Sequence, residues 1–179
     1  MSDLNAVVAV YGAHVEAEEA VKKLQRAGID MHSLSIVGKG THTDEQAVGY
    51  YNTGDRMMHW GKTGAFWGGL WGMLFGSAFF VIPGLGPLLV AGPLVAWIVG
   101  ALEGAAVVGG LSAVGAGLVS IGIPTDSVVQ YELAIKTDKY LLVVHDTAAQ
   151  VAKAKEIMGT TLAIHANLHP AELVEAKVR

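Results

Sequence analysis

From Thr63 to Thr125 the chain runs for 63 residues with a single charged side chain, Glu103. The same stretch holds 15 of the 23 glycines. The other 116 residues carry the remaining 27 charges, about the usual share for a soluble domain. Such a polypeptide is an ordinary globular sequence interrupted by an apolar, glycine-rich insert, and its fold must find cover for that insert.

The flanks supply the elements of one domain. NAVVAVYGA reads as a buried, valine-rich strand. HVEAEEAVKKLQRAG reads as a helix with Ala17, Val21 and Leu24 on one face and Gly28 as its stop. HSLSIVG is a second strand, with Leu34 and Ile36 alternating against Ser33 and Ser35. Beyond the insert, PTDSVVQYELAIK predicts a short helix, with Glu132 and Lys136 spaced to pair on its surface. YLLVVHD, AAQVAKAKEIMG and LAIHANLH then predict a strand, an amphipathic helix and a strand. The order is β-α-β, insert, β-α-β. It predicts an α+β class, a ferredoxin-like split βαβ sandwich interrupted by a glycine-zipper helical hairpin. The boundaries are 1–40 for the first half, 41–62 for a polar and aromatic linker, 63–123 for the hairpin, and 124–179 for a helix plus the second half. Neither half alone can bury a core, so the two must pair across the insert.

Within the insert, Gly64, Gly68, Gly72 and Gly76 recur every fourth residue, with Trp67, Trp71, Phe75 and Phe79 as a ridge beside them. Gly92, Ala96, Gly100 and Gly104 form a second stripe, and Ala105, Gly109, Ala113 and Gly117 a third. On helices such stripes are grooves that let another backbone approach closely. PGLGP at 83–87 predicts a turn. The first helix is then expected over Thr63–Ile82, about 30 Å long and enough to cross a bilayer core. A second crossing is expected near 93–109, with residues 110–121 as a short helix packed back. Two crossings return the chain to its starting side, as a split domain requires. Arg56, Lys62, Lys136 and Lys139 flank the insert while its turn carries no charge, which places the domain on the cytoplasmic side of an inner membrane. A soluble assembly that buries its hairpins between subunits satisfies the same pattern, with a cytoplasmic location. Both readings make a second copy of this chain the partner. Glu103, in a membrane, must be paired, protonated or facing water. It is either a pore-lining group or a glutamate near a helix end.

Three stretches carry a family resemblance: GYYNTGDRMMHWGKTGAFWGGLWGMLFGSAFF, IPGLGPLLVAGPLVAWIVGALEGAAVVGGLSAVGAGLVSIGIP and DSVVQYELAIKTDKYLLVVH. Together they resemble bacterial general stress or heat-induced stress proteins, also described as predicted membrane proteins. The resemblance extends from Ala6 to about Ala166. It implies an α/β domain split by a glycine-zipper hairpin and a link to stress responses. It brings no catalytic residue with it.

Other chemistry finds little footing. A net charge of −4 gives no electrostatic footprint for nucleic acid. With no cysteine there is neither disulfide nor thiolate zinc site. The N-terminus lacks the features of a signal peptide. GKT at 61–63 is not a phosphate loop, because Arg56 stands where its first glycine belongs. VGKGTHT and PGLGPLL each lack the last glycine of a dinucleotide fingerprint. His165 and His169 share a strand face about 13 Å apart, too far for one metal unless His32 or His145 approaches. The sequence therefore predicts no catalytic, cofactor or metal residue. It predicts a non-enzymatic, homo-oligomeric, membrane-associated stress-type protein. The alternatives are a pore with Glu103 in the water path, or a soluble multimeric particle.

Overall fold

A computed structural model describes residues 4–39, 77–82, 85–103 and 111–170. The chain is of the α+β class. Its elements run β1 (Leu4–Tyr11), α1 (His14–Arg26), a 3₁₀ turn (Met31–Ser33), β2 (Leu34–Lys39), β3 (Ser77–Ile82), β4 (Gly86–Ala91), α2 (Leu94–Glu103), α3 (Ala113–Ser120), α4 (Thr125–Lys136), β5 (Tyr140–Thr147), α5 (Ala148–Gly159) and β6 (His165–His169). The six strands form one sheet in the order β3-β4-β2-β5-β1-β6, with every neighbouring pair antiparallel.

The two ends of the chain interleave. β1 lies between β5 and β6, with Ala6 opposite both His145 and His169. Alternation along β1 and β5 then feeds two cores. Val7, Ala9, Tyr11, Leu142 and Val144 point to one face, where Ala17, Val21 and Leu24 of α1 and Val151, Ala154 and Met158 of α5 cover them. Ala6, Val8, Val10, Leu141 and Val143 point to the other. A strand buried on both faces needs a near-continuous apolar run, which is what VVAV and LLVV supply.

Helix α1 starts where the Glu16 carboxylate accepts the backbone N–H groups of Gly12 and Ala13, at 3.1 and 3.2 Å. It ends at Gly28, whose φ of +80° suits glycine, with Ile29 N–H returning to the carbonyl of Leu24. Reciprocal lysines tie the two outer helices together. Lys23 Nζ donates to the Thr160 carbonyl at 3.4 Å, and Lys153 Nζ donates to the Ala27 carbonyl at 2.6 Å.

The insert departs from expectation. Residues 77–82, assigned above to the end of a first membrane-crossing helix, are strand β3. β3 pairs with β4 from Ser77↔Ala91 to Ile82↔Gly86, and β4 pairs with β2. SAFFVI and PLLVA are short apolar runs either side of a glycine-containing turn, and periodicity alone does not separate such a run from a piece of buried helix. The open edge of β2 takes up β4, and β4 in turn pairs with β3. Among the described residues the sheet therefore has six strands, against the four of a plain ferredoxin-like sandwich.

The second crossing expected at 93–109 is represented by α2, ten residues and about 15 Å long, half a bilayer core. Among the described residues no helix is long and apolar enough to cross a membrane. Leu94 and Ile98 of α2, Val114 and Leu118 of α3, and Val128, Tyr131 and Ile135 of α4 pack on the second face of the sheet. The described part of the insert is thus a layer of the domain's own core. The linker at 41–62 and the first zipper stripe lie outside the described residues.

Candidate functional site

The layer of α2, α3 and α4 holds the polar contacts and close approaches that distinguish this sheet. It begins at Gly92, between β4 and α2. The backbone there has φ +94°, and a Cβ would collide with the carbonyl of Leu34 and lie 2.8 Å from Cα of Ser35. Only glycine lets the chain turn this close to β2. Ser35 is itself buried, and its Oγ accepts the N–H of Leu94 at 3.1 Å, satisfying one of the free donors at the start of α2. Gly92 therefore serves a turn against β2 and is no part of a helical stripe.

Gly117 of α3 faces Ile98 of α2. A Cβ built there would lie 3.1 Å from Ile98 Cγ1 and 3.6 Å from its Cα. Gly100 is the opposite case, with nothing within 4 Å of a built Cβ. Gly64, Gly68, Gly72, Gly76, Gly104, Gly109, Trp67 and Trp71 lie outside the described residues. Glu103 is the last residue of α2, and its side chain also lies outside them.

Ser112 precedes α3 and caps it, its Oγ accepting the N–H of Gly115 at 3.2 Å. Behind it stands Glu132 of α4, only 8% exposed. Glu132 Oε1 accepts both the backbone N–H of Ser112 at 2.9 Å and its hydroxyl at 2.5 Å. Gly115 leaves the space this carboxylate occupies, since a Cβ there would collide with Oε1. Glu132 thus turns inward to α3 rather than outward to Lys136, because the donors at a helix start attract a carboxylate.

The preceding residue points the other way. Tyr131 reaches β6, its hydroxyl 2.7 Å from Nε2 of the buried His169. Asn167 also hydrogen-bonds Tyr131. Burial raises the phenol's pKa, with the Asn167 bond opposing it, and burial lowers that of His169. His145, on the far side of Ala6 in the same row, is also lowered by burial, with Asp146 opposing. His32 is engaged instead with Asp30 Oδ1 at 2.7 Å. Among the described residues no group of three acidic or histidine side chains could hold a metal ion.

The outside of this layer carries apolar side chains among polar ones such as Asp126, Gln130 and Lys136. Trp97 is 44% exposed on α2, with Ala96, Val99 and Gly100 also exposed. Val119 of α3 and Val129 and Leu133 of α4 are exposed as well.

Ser35, Ser112, Tyr131, Glu132 and His169 were not legible as site residues. Ser112 carried a signal, a serine just ahead of a helix-forming run and after Gly109-Gly110. Tyr131 and His169 carried none, since only the strand order brings them together. No curated protein and no solved structure matches the chain. Less than half of the chain, residues 6–79 from β1 into β3, matches the family model described as the heat induced stress protein YflT domain, and over that stretch the chain is similar to this stress-protein family.

Proposed function

We propose that this chain is a non-enzymatic stress-response protein that self-associates through the outer face of α2. The observation that carries the reading is Trp97, 44% exposed on a helix without a charged residue before Glu103. The exposed Ala96 and Gly100 leave room beside the indole for a second helix. A half-exposed tryptophan in an apolar surface is the usual anchor of a protein interface. The stress-related role rests on the family match over residues 6–79. The non-enzymatic reading rests on how the polar groups are used: Glu132 holds α3, Ser35 holds α2, and Tyr131 holds β6.

Mass measurement by light scattering in detergent-free buffer tests the proposal. The wild type is expected as an oligomer, with Trp97→Glu and Gly100→Leu shifting it toward monomer. A wild-type monomer, or an oligomer indifferent to both substitutions, overturns it.

A second reading is supported by the same indole. An outward tryptophan on an apolar helix suits a membrane–water interface, with the domain on the cytoplasmic side. Flotation with phospholipid vesicles separates the two readings: wild type and Trp97→Glu staying together in the unbound fraction removes the membrane.

A further inference from the structure

Tyr131 is the link between α4 and the edge strand β6. Its hydroxyl is the described side-chain bond from that helix to the strand, and His169 is the strand's buried residue. Leu168, 36% exposed, and His165, also exposed, lie outside this contact. The strand is short, five residues, and its described sheet partner is β1 alone.

Asn167 also bonds the phenol. With His169 neutral and its proton on Nδ1, Nε2 accepts the phenol proton across 2.7 Å. If Nε2 gains a proton it becomes a donor, and the phenol oxygen must accept from it, so the bond reverses. The charge then sits on a ring that is only 8% exposed, and a buried imidazolium is costly.

Among the described residues that face this row, none carries an opposite charge. β1 presents Ala6 and Val8 to this row, α4 presents Tyr131, and β6 itself presents Asn167 and His165. The nearest titratable neighbour on β5 is His145, across Ala6, which would add a like charge. Burial holds the pKa of His169 below the ordinary histidine value.

We propose that the Tyr131–His169 pair is an acid-sensitive clasp that holds β6 to α4 at neutral pH and opens when His169 takes up a proton. The class of signal it reads is proton concentration in the mildly acidic range, where histidine is the side chain that ordinarily changes charge. Opening frees a sheet edge and one anchor of α4, whose next residue, Glu132, holds the start of α3. The clasp is independent of whether α2 mediates self-association.

The test is hydrogen exchange of the full chain at about pH 7.5 and about pH 5.5, corrected for intrinsic rates. Amides of residues 165–169 are expected to lose protection about tenfold more than those of β1 and β5 at the lower pH. His169→Gln keeps a side-chain acceptor for the phenol but cannot titrate in this range, and should abolish the difference. His145→Gln should retain it. A wild-type profile without the difference, a His169→Gln variant that keeps it, or a His145→Gln variant that loses it overturns the clasp. If His169→Gln fails to fold, ring-carbon NMR of the wild type decides. A His169 midpoint below the ordinary histidine value supports the clasp, and one at or above it refutes it.

Discussion

Ile98 of α2 lies directly over Gly117 of α3, so close that a methyl group on the glycine would sit 3.1 Å from Ile98 Cγ1. The two helices of the insert therefore meet backbone to side chain within one molecule. Gly117→Leu should push them apart and lower stability by about 1–3 kcal/mol in urea unfolding, the usual cost of overpacking. Gly100→Ala fills open space on a helix and should raise stability by up to about 1 kcal/mol. Equal losses at the two positions would contradict this packing.

The Ser112–Glu132 contact makes a second prediction. Ser112→Ala removes the cap of α3 and should cost about 0.5–2 kcal/mol. Glu132→Ala leaves the partly buried Ser112 N–H and hydroxyl without this acceptor and should cost about 1–3 kcal/mol. Glu132→Gln keeps an oxygen acceptor and should cost less than Glu132→Ala. Because both substitutions break one network, the double variant should lose less than the sum of the singles.

Asp138 holds a φ of +62° in the turn that ends α4, with Lys139 N–H returning to the Ala134 carbonyl. Its carboxylate lies 3.2 Å from Lys39 Nζ, but in a largely exposed pair that contributes little. Asp138→Gly should therefore be neutral or stabilising. Asp138→Val, branched and left-handed, should cost about 1–2 kcal/mol. Thermal melts of the two variants decide whether conformation or charge sets this position.

Stability should fall on both sides of neutrality. Burial lowers the pKa of His145 and His169, so the unfolded chain takes up protons before the folded one does. Their contribution is complete above the ordinary histidine value of about 6.5 and declines as pH falls below it. Burial raises the pKa of Tyr11 and Tyr131, so the unfolded chain ionises first as pH rises past about 10, and stability declines again there. Chemical denaturation at a series of pH values should show both slopes, and His169→Gln should flatten the acidic one.

The flanking elements were legible because each carries its own local signal. The Gly28 stop, the Ala17-Val21-Leu24 face and the run of β5 all coincide with the observed α1 and β5. The insert misled for a physical reason. SAFFVI has one polar residue, Ser77, too little to fix a period of two, and the glycine spacing upstream suggests continuing a helix through it. What makes it a strand is its pairing with β4, which itself fills the edge of β2, a property of the assembled sheet. β6 misled in a related way. LAIHANLH alternates apolar and polar, yet Leu162 and Ile164 are 69% and 47% exposed while His169 is buried. The helices of the second layer cover the face that carries the histidine, and Tyr131 supplies its partner. Gly92 was read by spacing as a groove residue, whereas its role follows from the backbone of Leu34, which no spacing reveals.

The position of β1 has a consequence for how the chain is made. This strand needs β5 on one side and β6 on the other, so it waits for the last third of the polypeptide to leave the ribosome. At about 5–20 residues per second, that interval lasts roughly ten seconds. By the time β5 and β6 are made the apolar insert has already been synthesised, so the growing chain carries it before its sheet can close.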